Sequence, residues 1–183
     1  MKPMDKINLQ VVRELFGRVV YSHKTQEKEA EMQQKNARDI KFLNILLVSL
    51  TAGPLLANMV TNQKVLLIAG SVFSFLALVF TIFQLSFDPE KKASDHKNTA
   101  NKLWLVRERF VCLIADISIG HIPEDVVIIK RDALIDDLDA IYKTAPNTSS
   151  KAYGKARAAL RTSEELTFSN DEINHFLPKS LWL

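Results

Sequence analysis

Residues 42–87 read FLNILLVSLTAGPLLANMVTNQKVLLIAGSVFSFLALVFTIFQLSF, and this stretch decides the fold. The only charged residue in it is Lys64, which stands between two apolar halves. Each half reaches the ~20 residues that an α-helix needs to cross ~30 Å of hydrocarbon. The residues from Thr61 to Lys64 leave room only for a tight turn between them. The stretch therefore predicts a transmembrane helical hairpin, with spans at about 42–60 and 65–85.

A soluble protein with two buried helices is the alternative explanation of this stretch. A core helix of a soluble protein usually keeps one polar face, whereas both halves here are apolar nearly all round. A chain of 183 residues has no core large enough to enclose two such helices. The membrane interpretation is therefore preferred.

Positive charge near the ends of the spans indicates how the hairpin is oriented. Three basic residues precede the first span and three follow the second, whereas the turn carries only Lys64. Because basic residues favour the cytoplasmic side, both termini are predicted to lie in the cytoplasm. Residues 1–41 show no secretory signal peptide, so the first span is expected to act as its own insertion signal. The flanking basic residues are Lys35, Arg38, Lys41, Lys91, Lys92 and Lys97.

Charge and cysteine content exclude several classes of protein. The net charge of +3 is too small for a dedicated nucleic-acid binder, so no direct contact with nucleic acid is expected. Cys112 is the only cysteine, which excludes an intrachain disulfide and a cysteine-rich metal site and agrees with a reducing cytosol. It lies in an apolar helical stretch and is expected to be an inert core residue.

Polar side chains within the first span are spaced so that they line up. Asn44, Thr51 and Asn58 recur every seven residues, which places them on nearly one line of the helix. They either line a pore or hold helices together, because amides in hydrocarbon are costly unless they are paired or wet. Gly53 and Pro54 lie in the same span, and the proline predicts a kink that is a candidate gate.

A stripe of small residues runs along the second span. Small residues allow helices to approach closely, so the stripe is expected to pack within the hairpin or against neighbouring hairpins. Lining a pore is the alternative role. The members of the stripe are Gly70, Ser71, Ser74, Ala77 and Thr81.

The residues outside the hairpin are predicted to form a helical cytosolic cap. Residues 5–22 have the pattern of an amphipathic helix that packs on the cap or lies on the membrane surface, with packing favoured. Residues 25–41 contain good helix formers and no glycine or proline, which predicts a solvated helix that runs into the first span. The predicted domains are N-terminal helices at 1–41, the hairpin at 42–87, a long helix at 88–120 and a C-terminal helical extension at 121–183.

A long helix is predicted to start at Pro89, since Asp88 can cap it and proline suits the first helical position. Its apolar residues step by three and four, which forms a heptad seam about two heptads long. The helix is therefore expected to pack against another helix, either the N-terminal one or a copy in a second subunit. The seam consists of Leu103, Val106, Phe110, Leu113 and Ile117.

No catalytic, cofactor-binding or metal-binding set emerges from the sequence, and an enzyme is not expected. There is no HExxH pattern, no glycine-rich nucleotide loop and no GxSxG. The acidic cluster of Asp136, Asp137 and Asp139 lacks the glycine-turned loop of a cation site and is expected to be a solvated helix edge. The four histidines stand apart from one another: His23, His96, His121 and His175.

Short sequences after the hairpin carry a resemblance to a known family. The run FDPEKKA at 87–93 follows two close spans and precedes His96, Ala100 and a long helix. In order and spacing the chain, from about Thr25 onward, resembles the SLATT family, the SMODS- and SLOG-associating two-transmembrane effectors, in a branch with a C-terminal helical extension. The C-terminal part adds AP at 145–146, Tyr153, FSNDEI at 168–173 and FLP at 176–178.

The resemblance implies an all-α protein of the inner membrane that acts as an effector in CBASS-like antiphage conflict systems of bacteria. Such effectors are expected to form homo-oligomers whose pore depolarises the membrane when a nucleotide-second-messenger synthase or a reverse transcriptase is triggered. A membrane adaptor that does not conduct ions and recruits a soluble enzyme is the alternative function. The expected partners are membrane lipid and further copies of the chain, and no cofactor is expected.

Overall fold

The structure, a computed structural model, describes residues 3–120 and 122–182, and every regular element within them is helical. His121 lies outside the described residues, so the expectation that it stands alone stays a prediction. The elements are α1 (Pro3–Thr61), α2 (Lys64–Phe87), α3 (Pro89–Ile119), α4 (Glu124–Thr144), α5 (Ser150–Arg161), α6 (Asn170–Phe176) and a 3₁₀ turn (Lys179–Leu181).

One continuous helix, α1, carries the chain from the cap through the first span. It has 59 residues, which at 1.5 Å per residue gives a length of about 88 Å. The predicted helices at 5–22 and 25–41 are consecutive parts of it, and Pro54 lies inside it. Beyond the end of α1, Asn62 has a positive φ of 51°, and α2 begins at Lys64. The chain therefore reverses within two residues, as a hairpin requires.

The hairpin helices present apolar side chains outward along their length. Val60 is 88% exposed and Leu85 is 77% exposed, and both helices are long and apolar enough to cross a membrane. Apolar surface costs about 25 cal/mol per Å² in water, so side chains exposed in this way suit contact with lipid. The predicted all-α architecture with a two-helix apolar hairpin is confirmed.

The two hairpin helices approach each other closely at Gly70. The residue is buried, and a Cβ atom placed on it would lie 2.7 Å from the side chain of Leu55 on α1. Ala77, two turns further along the same side of α2, is half-buried. Gly70 and Ala77 are therefore the members of the small-residue stripe that belong to the contact between α1 and α2.

In the cap, α3 packs against α1 and α4. All five residues of the predicted heptad seam are buried there, and Leu103 and Phe110 are fully so. They form one apolar cluster with Val12 and Val19 of α1 and with the inner face of α4. Within this chain, the partner of the seam is thus the N-terminal helix together with α4. The residues contributed by α4 are Val127, Leu134, Leu138 and Ile141.

Capping residues set the ends of several cap helices. The Asp88 side chain accepts a hydrogen bond from a backbone N–H in the first turn of α3. Gly120 ends α3 with a φ of 71°, a left-handed conformation that glycine adopts without strain. Ser169 and Glu172 form the predicted capping box at the start of α6. These helix ends therefore follow from local sequence.

Two expectations about the cap are wrong. Cys112 is exposed rather than buried, because it follows Phe110 by two residues and so faces away from the core side of α3. The segment 25–41 is not a solvated helix throughout, since Gln26 and Glu29 are buried. Their side chains find hydrogen-bond partners on α3 and in the loop before α5, which removes most of the cost of burying them.

Replacing Gly70 with leucine is expected to force α1 and α2 apart, because even a Cβ atom there overlaps Leu55. Over-packing a closely packed site costs about 1–3 kcal/mol. The measurement is the melting temperature of the purified protein in detergent. Gly53→Leu is the matched control, since a Cβ at Gly53 meets nothing within 4 Å. Equal melting temperatures for the two variants would contradict the close approach at Gly70.

Candidate functional site

The polar residues of the first span, Asn44, Thr51 and Asn58, lie in the contact between α1 and α2, and we call them the polar line. All three are half-buried. By helix geometry they share a side of α1 with Leu55, which lies against Gly70 of α2. In this structure the polar line therefore faces the neighbouring helix of the same hairpin.

Two amide oxygens of the hairpin are buried without a hydrogen-bond partner among the described residues. They are Oδ1 of Asn44 on α1 and Oε1 of Gln84 on α2. Burying an amide in apolar surroundings without a partner costs roughly 2–7 kcal/mol. Gln84 was not predicted from the sequence, although a residue late in the second span of an antiparallel hairpin must come near one early in the first. These two amides need water or a further polar group to become satisfied.

Several hydroxyl groups of the spans donate hydrogen bonds within their own helices. Thr51, Ser71 and Thr81 each donate to the carbonyl oxygen four residues earlier, over 2.8–2.9 Å. Ser71, Ser74 and Thr81 are exposed on α2, and we call them the hydroxyl edge. Because Gly70 of the same stripe is buried against α1, the predicted stripe divides into a packed part and an outward part.

A second group of polar side chains is buried in the cap, except for the half-buried Glu27, where α1 meets α3 and the loop before α5. We call this group the polar junction. Glu29 precedes Phe42 by 13 residues, so the junction lies about 20 Å along α1 from the first span. The members are His23, Lys24, Gln26, Glu27 and Glu29 of α1 and His96 of α3.

Hydrogen bonds from Gln26 and Glu29 link α1 to two other parts of the cap. Oε1 of Gln26 lies 2.6 Å from Nδ1 of His96, and its Nε2 donates to the carbonyl of Pro146 over 3.1 Å. Glu29 accepts from the backbone N–H and the hydroxyl of Ser149, at 3.0 and 2.7 Å. Ser149 is also the N-cap of α5. Two neighbouring turns of α1 therefore position both α3 and the start of α5.

Lys24 and Glu27 form the charged part of the junction. Nζ of Lys24 lies 3.1 Å from Glu27 and 2.5 Å from Glu165. Lys97 of α3 pairs with the other oxygen of Glu27 at 3.1 Å. Lys24 is buried, and removing both carboxylates would leave its charge uncompensated, which is strongly destabilising. The network joins α1, α3 and the turn that carries Glu165.

Burial lowers the pKa of both junction histidines. Desolvation holds the pKa of His23 and that of His96 below the ordinary value of 6.5, so both are neutral at pH 7. For Glu27 and Glu29, burial acts toward a higher pKa, but hydrogen bonds from neighbouring lysine and serine donors outweigh it and lower the pKa. The junction is therefore held by ionised carboxylates and neutral imidazoles. His23 and His96 each lie against a polar side chain of α1, Glu27 and Gln26 respectively, contacts that no sequence motif indicated.

The described residues contain no group of three or more histidine, cysteine, aspartate or glutamate side chains placed to hold a metal ion. On α4, Asp137 pairs with Arg109 at 2.7 Å, and Asp139 pairs with Lys143 at 2.5 Å. The acidic cluster of that helix is therefore a salt-bridged outer edge.

Because burial lowers the pKa of His23 and His96, the protein is expected to lose stability as the pH falls below 6.5. Their folded pKa lies beneath the unfolded value of about 6.5, so the unfolded chain binds more protons in this range and unfolding becomes easier. The junction carboxylates stay ionised there, because their pKa values are lowered. Melting curves at about pH 7 and about pH 5 should differ more for the wild type than for His23→Gln/His96→Gln. Identical pH dependence in both proteins would contradict the assignment.

A family model matches residues 9–172, with the description SMODS and SLOG-associating 2TM effector domain family 4. No curated protein and no solved structure matches the chain. The matched range includes α1 from Leu9 onward, all of α2 to α5 and the polar junction. The family description is of a domain with two transmembrane helices, and the two long apolar helices of the hairpin agree with it. The chain belongs to the SLATT_4 family of SMODS- and SLOG-associating 2TM effector domains.

Proposed function

We propose that copies of this protein assemble into an ion-conducting pore that depolarises the bacterial inner membrane when a conflict-system partner is triggered. Membership in a family of SMODS- and SLOG-associating effectors supports the effector role. The observation that carries the pore is a pair of amide oxygens inside the hairpin, on Asn44 and Gln84, for which the described residues supply no hydrogen-bond partner. Polar groups kept within a membrane at such a cost are typical of ion and substrate paths.

Conduction requires several copies, because two helices cannot enclose a water path. The hydroxyl edge of α2 is exposed and made of small residues, which suits close packing against a neighbouring hairpin. In the resting form, the polar line is covered by α2 of its own chain. Opening then consists of a rotation or separation of α1 and α2 that turns the polar line toward the centre of the assembly.

Helix α1 provides the route from the cap to the polar line. It is continuous from the polar junction through Pro54 to the turn, so a displacement of the junction is transmitted into the span. Proline at 54 cannot donate to the carbonyl of Leu50, which weakens the helix near Gly53. We therefore assign the gate to Gly53 and Pro54. The resemblance to SLATT effectors implies that the trigger comes from a nucleotide-second-messenger synthase or a reverse transcriptase.

A non-conducting adaptor is the second candidate function, and one surface of the cap favours it. The outer side of α3 exposes apolar side chains, of which Trp104 is 49% and Ile119 is 77% exposed. An apolar side on a cytosolic helix suits the docking of a soluble partner. Ion flux through bilayers that contain only the purified protein separates the two functions, since an adaptor conducts nothing.

Both termini are expected to face the cytoplasm, because the basic residues flank the outer ends of the spans. A reporter that is active only outside the cytosol should be silent when fused after Leu183. The same reporter inserted between Asn62 and Gln63 should be active, which makes the turn insertion the matched control. Activity at the C-terminus with silence at the turn would reverse the orientation.

Replacing Asn44 and Asn58 together with leucine is expected to abolish ion flux while insertion and assembly persist. Two costly amides leave the hydrocarbon, which favours insertion. An apolar constriction then closes the path by dewetting. The measurement is oligomer mass in lipid discs beside ion flux from proteoliposomes, both on the same double variant.

The control and the opposing outcomes distinguish pore lining from helix packing. Ser71→Ala/Ser74→Ala changes two exposed hydroxyls off the polar line and should leave the flux per oligomer unchanged. Dissociated subunits in the asparagine variant would assign the polar line to packing. Intact oligomers with undiminished flux would rule out its place in the path.

A further inference from the structure

A groove of about 930 Å³ lies at the base of the cap, between the part of α1 that enters the first span and the part of α3 that leaves the second. Residues between 27 and 41 form one wall, and residues between 90 and 98 form the other. The groove is separate from the polar line, and the pore proposed above makes no use of it.

An ion pair between α1 and α3 stands at each end of the groove. At the end near the membrane, Lys41 pairs with Glu90 at 2.9 Å. At the far end, Lys97 pairs with Glu27 at 3.1 Å. Alanine and serine side chains line part of both walls, so the space between the two ion pairs stays open.

The charge that remains unpaired in the groove is positive. Its third carboxylate, Glu31, pairs with Lys28 at 3.3 Å, so every acidic side chain of the lining has a basic partner. Lys35 and Arg38 are exposed on the α1 wall, one turn apart. Neither has an ion pair or a side-chain hydrogen bond to the residues that the structure describes. Asp39 is next to Arg38 in sequence but does not line the groove.

Of the two unpaired cations, Arg38 lies at the depth of the lipid headgroups and Lys35 just beyond them, within reach of its long side chain. The hydrocarbon begins at about Phe42, so the α-carbons of Arg38 and Lys35 lie about 6 and 10 Å outside it. The polar layer of each leaflet is roughly 5–7 Å thick, and long basic side chains extend toward it from nearby turns. The anion most available to the groove is therefore a lipid phosphate.

We propose that the groove binds the headgroup of an anionic phospholipid, with Lys35 and Arg38 contacting the phosphate. A guanidinium group bonds phosphate oxygens in pairs, and an ammonium group adds a point charge. Ser94 and Asn98 on the α3 wall offer a hydroxyl and an amide to the rest of the headgroup. The bound lipid bridges α1 and α3 where both leave the membrane. This inference requires the hairpin to span the membrane but does not require ion conduction.

The test compares two double variants that each remove two positive charges. Lys35→Gln/Arg38→Gln changes the groove, whereas Lys155→Gln/Arg157→Gln changes exposed residues of α5. Helix α5 begins where Ser149 meets Glu29, about 20 Å along α1 from the hydrocarbon. Each full-length protein is purified in neutral detergent and titrated with short-chain phosphatidylglycerol, short-chain phosphatidylcholine or inorganic phosphate. Native mass spectrometry counts the bound lipid.

The wild type should bind phosphatidylglycerol more tightly than phosphatidylcholine. Because the groove variant loses both cations that contact the phosphate, it should bind phosphatidylglycerol roughly thirtyfold more weakly. The α5 variant should bind it as the wild type does. Ser94→Trp, which fills the groove without changing its charge, should also weaken binding.

Equal affinity for phosphatidylglycerol in the groove and α5 variants would overturn the proposal. Inorganic phosphate that binds as tightly as the lipid would overturn the lipid assignment, because the site would then hold a free anion. Lipid-free melting temperatures serve as the folding check, and loss of binding at an unchanged melting temperature supports the groove. A protein that binds the lipid as described but shows no ion flux supports this inference while contradicting the pore.

Discussion

The interior of a bilayer offers no water to the backbone, so the N–H and C=O groups of the two spans must pair within their own helices. This requirement keeps α1 helical to Thr61 and allows only two residues before α2 begins. It also explains why the side chains that the hairpin presents outward are apolar. The cap is built on α1 and α3, because these are the helices that continue from the two spans.

The two connections between hairpin and cap differ in kind. Helix α1 passes from cap to span without interruption. Between α2 and α3, by contrast, Asp88 interrupts the helix with a φ of 29°, a conformation that residues other than glycine rarely adopt. Its side chain caps α3, which offsets part of the strain. The cap is therefore joined to the first span by an unbroken helix and to the second span through the interruption at Asp88.

The polar junction shows how a small bundle fixes the relative position of its helices. Apolar contacts such as those around Phe110 are not directional, so they specify the register of a helix less sharply than hydrogen bonds do. The hydrogen bonds of Gln26 to His96 and to Pro146 hold only at one register of α1 against its neighbours. The junction lies about 20 Å along α1 from the membrane. It therefore determines the register of α1 against the other helices of the cap.

Much of the fold was predictable because the features that determine it are local. The absence of charge across 42–87 predicts the hairpin, and the spacing from Leu103 to Ile117 predicts a buried face. The run FDPEKKA and the motifs that follow it indicate the family, and the match over residues 9–172 confirms it. The polar line was also found from its spacing, whereas Gln84 was missed because its burial depends on the opposite helix.

The sequence by itself determined the helices, the two spans, the core side of α3 and the family. Only the tertiary structure decided which polar residues are buried. Gln26 and Glu29 lie in a segment whose composition predicts a solvated helix. Their hydrogen-bond partners lie 70 and 120 residues away in the chain. Cys112 likewise is exposed because, within the described residues, no helix covers its side of α3. Helix periodicity and hydrocarbon thickness act within one segment, but burying a polar group depends on a partner that folding brings from a distant segment.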